Sequence, residues 1–494
     1  MITSRHRHPV LSQQIVLIAL AALLAMGTGM YIALAPFAEY QLAVAVVWLI
    51  NVGLMLLPLY LDKAILNRSW DWFSPLLYEL FTSYLGVFRP LFIAFGGWET
   101  AWIHDSPENL ASLLIETLLI SMVGRTALLV GYYSSLGLQL SQRLRAIPGK
   151  WSPRRLRLIA VVVIGAGVLG YLKVMSSVGG LTRFLDNLFF RRQLLAGKSY
   201  ILWPTYLIPL VAWMMWAHHL RSKRRISFSL VLFFAIVVLL MATLGGRGAI
   251  AQVGIVALGI FHYLRRRVKL WHLVVLGIVA ALFFDAYQDV RTSTLTGELD
   301  LTSAITRETD QSFIDTVLNQ SEGIDRTMVV IDGIPERIPF QYFTTYTRII
   351  TTIVPRRIWP TKPALGESSV YQPLFLPGHD GRSSSSYPAG TVGDFYLQLG
   401  VPGVIIGFFM GGVCRRLLYE YLLRHKSNSG VVVLYMVALS IPVFRLRNQH
   451  IVLFLTKAVP LVVLALFLRS KRSQPMAHSV TPFSMSEGTS QLRS

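Results

Sequence analysis

The chain has 494 residues, 53% hydrophobic and 14% charged, with a mean hydropathy of +0.53. A water-soluble domain carries closer to a quarter charged residues, so this composition excludes a soluble globular enzyme and predicts an all-α polytopic membrane protein. The net charge of +21 does not indicate nucleic-acid binding, because the basic residues sit in short loops between apolar runs and form no single exposed face.

Apolar runs of membrane length lie at 13–33, 40–61, 74–95, 110–133, 157–177, 201–219, 227–244, 249–264, 270–287, 393–413, 430–446 and 451–468. They predict about twelve transmembrane helices. The first run follows Arg5, His6, Arg7 and His8. At about twenty residues it exceeds the apolar core of a signal peptide, so it reads as a retained span. The weakest run is 74–95, which carries Glu79 and Arg89.

Basic clusters recur in alternate loops: Arg143 to Arg157, Arg221 to Arg225, Arg265 to Lys269, Arg415 to Lys426, and Arg469 to Arg472. The positive-inside rule puts these loops and both termini on the cytoplasmic side of the membrane. The single cysteine, Cys414, then lies at a cytoplasmic helix end beside Arg415 and Arg416, and excludes an internal disulfide. Residues 1–287 hold nine spans, 288–392 one large periplasmic loop, and 393–468 three more spans. The polar, Ser-rich tail 469–494 reads as disordered and cytoplasmic.

The large loop holds twelve acidic and nine basic residues between Asp289 and Gly390. Ile305, Phe313, Ile314, Val317 and Leu318 suggest an amphipathic helix, and Thr344–Val354 a second. The prolines from Pro355 to Pro377 suggest a stiff extended connector. Within the tenth span Gly403, Gly407 and Gly411 recur every four residues, a pattern that lets helices approach closely.

Topogenesis disfavours arginine and lysine in short outer segments, yet this topology puts Arg183, Arg191, Arg192, Lys198, Arg247, Arg356, Arg357, Lys362, Arg382, Arg445 and Arg447 there. Such residues ask for an anionic ligand. Three stretches are the most specific. Gly245-Gly246-Arg247-Gly248 combines a guanidinium with open backbone amides, a phosphate-binding arrangement, although a tight hairpin with a snorkelling arginine explains it equally. Pro355-Arg356-Arg357-Ile358-Trp359-Pro360-Thr361-Lys362-Pro363 is a proline-stiffened basic strip, in which Trp359 either stacks on a sugar or anchors at the interface. Gly393-Asp394-Phe395-Tyr396 sets a carboxylate at the start of a span, as general base or as helix cap.

Asp394, then Glu367 and His450, are the candidate bases. Soluble catalytic signatures such as G-x-S-x-G, H-E-x-x-H and the P-loop are absent. Glu298/Asp300 and Glu308/Asp310 place carboxylates at alternate positions, but no further ligand spacing supports a metal, and neither metal nor cofactor is expected.

Together the three stretches resemble the Wzy-type oligosaccharide repeat-unit polymerases of bacterial O-antigen, capsule and exopolysaccharide synthesis. The resemblance covers about the last half of the chain, from Leu244. It implies a GT-C-like membrane glycosyltransferase acting at the periplasmic face on undecaprenyl-diphosphate-linked oligosaccharide, embedded in membrane lipid. A repeat-unit flippase and a chain-length regulator are the implied partners. Diphosphate binding then falls to Gly246, Arg247, Arg356, Arg357, Trp359, Lys362, Arg382, Arg445 and Arg447, with Arg183, Arg191 and Arg192 steering a second lipid diphosphate or an anionic polymer. An O-antigen ligase or a non-enzymatic lipid-linked oligosaccharide flippase are the alternatives.

Overall fold

A computed structural model describes residues 40–68, 70–96, 107–187, 194–195, 197–222, 227–244, 247–269, 271–277, 323–352, 354, 358–375 and 388–469. The helices run in order α1 Tyr40–Leu66, α2 Pro75–Val87, α3 Arg89–Gly96, α4 Pro107–Tyr133, α5 Ser135–Arg143, α6 Pro153–Ser177, α7 Leu181–Asp186, α8 Ser199–Ser222, α9 Phe228–Leu244 and α10 Arg247–Leu264. There follow α11 Gly323–Gly333, the one-turn α12 Arg348–Thr351, α13 Ser368–Phe375, α14 Gly390–Arg424, α15 Ser429–Ser440 and α16 Asn448–Phe467. Short 3-10 turns cover Thr344–Thr347 and Val443–Arg445. No strand occurs among the described residues; Trp151 and Arg469 make an isolated bridge.

Among the described residues six helices are long and apolar enough to cross a membrane: α1, α4, α6, α8, α14 and α16. The apolar helices α9, α10 and α15 are shorter. Length and composition therefore make this an all-α membrane protein with several spans. Of the twelve expected spans, 13–33 and most of 270–287 fall outside the described residues. The 74–95 run is not one span but two helices, α2 and α3, with Glu79 and Arg89 on separate pieces.

Local signals set the helix ends. Ser74 Oγ accepts from Leu77 N at 3.4 Å, with Pro75 at the first helical position of α2. Asn428 Oδ1 accepts from Gly430 N at 2.9 Å and Val431 N at 3.3 Å, starting α15.

Two apolar cores lie on either side of α14. One joins α6, α8, α9, α10, α15 and α16; the other joins α1, α3, α4 and the first half of α14. Glycines let α4 and α14 touch backbone to backbone. A side chain at Gly131 would strike the Phe409 carbonyl, and one at Gly412 would strike the Leu128 carbonyl.

α14 is not one straight rod. At 35 residues it would span about 52 Å, well beyond the ~30 Å apolar core of a bilayer. It breaks at Leu399 (φ −156°) and Gly400 (φ 63°), a left-handed position that suits glycine. The break folds the first segment back on the second. A Cβ on Gly403 would meet the Phe395 carbonyl, one on Gly407 the Phe395 ring, and one on Gly411 the Phe444 carbonyl. The glycine stripe is thus a packing surface that seats Phe395 and the Val443–Arg445 turn.

The basic loops gather at one end of the bundle. Arg424 donates to Ser141 O, Asn428 to Ile147 O and Arg155 to Phe467 O. Arg415 and Arg416, expected in the loop with them, lie inside α14 instead, at 2% and 6% exposure. Carboxylates make that burial tolerable: Arg415 pairs with Glu79, and Arg416 with Glu420 at 2.6 Å. Cys414 is accordingly mid-helix and part-buried.

At the opposite end α11 is pinned to the bundle by a buried two-point ion pair, Arg89 Nε to Asp325 Oδ2 at 3.0 Å and Nη2 to Oδ1 at 3.3 Å. The expected helix at 305–318 lies outside the described residues, as do Ser383–Ser386. Thr344–Val354 yields only a 3-10 turn and the single-turn α12, with the Thr345 carbonyl taken by Asn448 and those of Thr351 and Val354 by Lys362. The expected extended connector is helical over Ser368–Phe375, with Pro373 inside it. Arg89→Ala strands the buried Asp325 carboxylate and is expected to cost about 3–5 kcal/mol, read as a lowered thermal midpoint in detergent; Arg89→Met with Asp325→Leu recovers most of the loss.

Candidate functional site

The folded-back start of α14 carries Asp394 into the interior, where it is 3% exposed. Arg447, just before α16, forms an ion pair with its Oδ2. Tyr371 on α13 donates its hydroxyl to Oδ1 at 3.0 Å and accepts from Ala389 N at 3.0 Å. Burial, and then the Asp394 charge, hold the Tyr371 phenol well above its usual range, so it remains a donor.

Glu367 stands beside this pair, at 2% exposure, and its Oε1 accepts from Asn448 N at 2.9 Å. Burial, followed by the negative Asp394, pushes the Glu367 carboxyl up to about 7, against the pull of the Asn448 amide and Arg447. His450, one turn into α16, bonds the Pro442 carbonyl and keeps Nδ1 buried without a partner. With one nitrogen committed to a carbonyl, Nδ1 is the nitrogen left to accept a proton. The three candidate bases thus gather around one guanidinium, although both oxygens of Asp394 are already engaged.

The 341–348 segment locks this group together. Gln341 N and Tyr342 N donate to the Leu397 and Gln398 carbonyls at 2.9 and 2.8 Å, satisfying the helix end that the break exposes. Asn448 Nδ2 donates to Thr345 O at 2.9 Å, and Tyr346 Oη to Leu446 O at 2.8 Å. Arg348 reaches across to Ala364 O at 3.2 Å and Ser369 Oγ at 3.1 Å, fixing the segment that bears Glu367.

Adjacent to this group is a cavity of about 550 Å³, lined by Glu79, Arg125, Arg445, Thr117, Ser121 and Thr391 among others. Arg415 pairs with Glu79 and lies over the Phe444 ring at 4.5 Å. Arg445 Nε stands 3.9 Å from Glu79 Oε1. Arg125 lines the same cavity and acts on the same carboxylate. Among the described residues one carboxylate therefore faces three guanidinium groups, a local excess of positive charge.

The residues named from sequence separate clearly. Asp394, Glu367, His450, Arg445 and Arg447 are brought together. Lys362 stands apart from this group: its ammonium donates to the carbonyls of Val354 at 2.7 Å and Thr351 at 3.4 Å beyond the end of α12. Trp359 is 41% exposed, and Arg183 is exposed on the short α7, its stem against Gly179. Arg247 begins α10, but its side chain, like Gly246, Arg356, Arg357, Arg382, Arg191 and Arg192, lies outside the described residues. Among the described residues no three histidine, cysteine, aspartate or glutamate side chains cluster as metal ligands; Glu298, Asp300, Glu308 and Asp310 lie outside them.

Residues 205–421 are similar to a domain of unknown function (DUF8712). No curated protein and no solved structure matches the chain. The matched stretch runs from within α8 to near the end of α14 and so includes Glu367, Tyr371, Asp394 and Arg415, but not Arg445, Arg447 or His450.

Arg125, Arg415, Glu79 and Tyr371 were not assigned to the site from sequence. For the first three a signal exists: ionisable residues within apolar spans face partners or pathways. Because the folded-state carboxyl of Glu367 titrates above its ordinary 4.5, its stabilising contribution is complete below that value and lost as pH rises through about 7. The thermal midpoint is expected to fall over that window in the wild type and to stay flat in Glu367→Gln.

Proposed function

We propose that the protein is a membrane glycosyltransferase that polymerises oligosaccharide repeat units carried on a polyprenyl diphosphate. The observation that carries this reading is the single carboxylate Glu79 set against Arg125, Arg415 and Arg445 on a cavity of about 550 Å³. A diphosphate supplies the missing negative charge, and its oxygens match the guanidinium fork. The resemblance in the second half of the chain names the chemistry, with undecaprenyl as the lipid and GT-C as the fold type.

In this mechanism an acceptor sugar hydroxyl attacks the anomeric carbon of the donor. The bond from that carbon to the diphosphate oxygen breaks, and the leaving electron pair stays on the diphosphate. Arg125 and Arg445 stabilise that growing charge, while Arg415 holds Glu79 and the Phe444 turn in place. The hydroxyl proton passes to Glu367 or to Nδ1 of His450. Asp394 is better suited to orienting Arg447 than to accepting a proton, since Tyr371 and Arg447 occupy its oxygens. The resemblance adds Arg247, Arg356, Arg357 and Arg382 to the residues that bind the diphosphate. The topology that goes with this reading has about twelve spans in the inner membrane, both termini and the basic end cytoplasmic, and the loop end periplasmic. A flippase delivers the units and a chain-length regulator limits the product.

A second reading is favoured by one observation: Glu79 and Arg125 lie among the helices instead of in a loop, as a route for a lipid-linked oligosaccharide across the bilayer would require. Purified protein supplied with lipid-linked repeat units in EDTA separates the two. A polymer ladder supports glycosyl transfer; movement of intact units across proteoliposomes without a ladder supports the flippase. Arg125→Lys and Arg445→Lys are each expected to lower kcat/KM about 100-fold, and full activity in both removes the arginine mechanism. With Glu367 as base, kcat/KM rises with pH to a plateau above about 7, and Glu367→Gln abolishes that limb.

A further inference from the structure

The opposite end of the bundle holds a second cavity, of about 700 Å³, that glycosyl transfer at the loop end does not use. Four separate stretches of chain converge on it: Arg68 after α1, Arg221 at the end of α8, Arg265 to Arg267 after α10, and Lys426 after α14. Loop cations placed only by topogenesis need not meet, and these line one concavity. Its volume lies within the usual range for small-molecule sites, roughly 300–1,000 Å³.

The floor is rigid and its acid is already committed. Asp71 accepts from Tyr263 Oη at 2.8 Å and Tyr419 Oη at 2.9 Å, and His262 Nε2 stands 3.4 Å away. His262 Nδ1 in turn accepts from Val268 N at 3.0 Å, which ties the Arg265–Arg267 turn to that floor. Glu420 is taken up by Arg68 at 2.5 Å and Arg416 at 2.6 Å, and Asp62 accepts from Tyr133 Oη at 2.8 Å. Arg68 still keeps its Nη1 buried without a hydrogen-bond partner. A cavity with a cationic rim, a neutralised acidic floor and an unused guanidinium nitrogen is built for an anion with several oxygens.

We infer that this cavity is a binding site for a phosphate-bearing ligand, independent of the diphosphate site at the loop end. Two sources share that chemistry: the headgroup of an anionic phospholipid, and a soluble phosphorylated compound. Arg68 and Arg266 grip the phosphate, and Arg221 and Lys426 close the rim from the other two helices.

The test uses the purified full-length chain in nanodiscs of phosphatidylcholine, with and without phosphatidylglycerol, and with inorganic pyrophosphate as the soluble probe. Lipid retention by native mass spectrometry and the shift in thermal midpoint on adding pyrophosphate are the readouts. Wild type, Arg445→Gln, and a rim variant combining Arg221→Gln, Arg266→Gln and Lys426→Gln are compared. Arg266→Gln alone serves as the milder variant should the triple one not fold, judged by its gel-filtration profile. The expected result is at least a ~10-fold loss of phosphatidylglycerol or pyrophosphate affinity in the rim variants, with that binding kept in Arg445→Gln. Loss confined to the lipid arm identifies a headgroup site, and loss confined to pyrophosphate a soluble ligand. Equal binding in wild type and rim variants, binding lost only through Arg445→Gln, or no binding of either probe overturns the inference.

Discussion

An ionised side chain inside a helical bundle persists only where an opposite charge meets it, and in this protein that requirement organises the interior. Arg89 meets Asp325, Arg415 meets Glu79, Arg416 and Arg68 share Glu420, and Arg447 meets Asp394. Apart from Arg416–Glu420, which lies within α14, each pair joins separate stretches of chain. Where the pairing is uneven, at Glu79, the surplus of guanidinium groups opens onto a cavity, and the proposed chemistry rests on that surplus.

Glycine makes this pairing geometrically possible. Because Gly403, Gly407 and Gly411 carry no side chain, Phe395 and the Phe444 turn lie directly on the helix. That contact draws Asp394, Arg445 and Arg447 into one neighbourhood, although they start from different helices. The same device brings α4 against α14 through Gly131 and Gly412, which places Arg125 on the cavity wall beside Glu79.

Sequence carried the membrane character and the grouping of basic loops, because hydropathy and charge placement report directly on the solvent each residue meets. It misread Arg415 and Arg416 as loop residues, since adjacent arginines at a hydropathy minimum look the same whether solvated or paired within a helix. It read the prolines of 355–377 as an extended strip, but Pro373 is accommodated within the helical turns of α13. Nothing local in sequence reveals that the Lys362 ammonium reaches the carbonyls of Thr351, Thr352 and Val354. Tyr371 left no trace, for its role depends on Asp394 arriving from a distant segment.

The break in α14 has its exposed carbonyls covered by Gln341 and Tyr342, and Gln398 is held in turn by Phe343 N at 3.1 Å and Thr345 Oγ1 at 3.2 Å. The stretch that surmounts the membrane helices is therefore part of their scaffold and not a replaceable cap. Grafting a foreign loop onto these spans, or lengthening 334–347 by even one residue, would shift the register of the amides over the break and change the depth at which Asp394 rests. Changes of length are then tolerated in segments that hang from this clasp, not in the clasp.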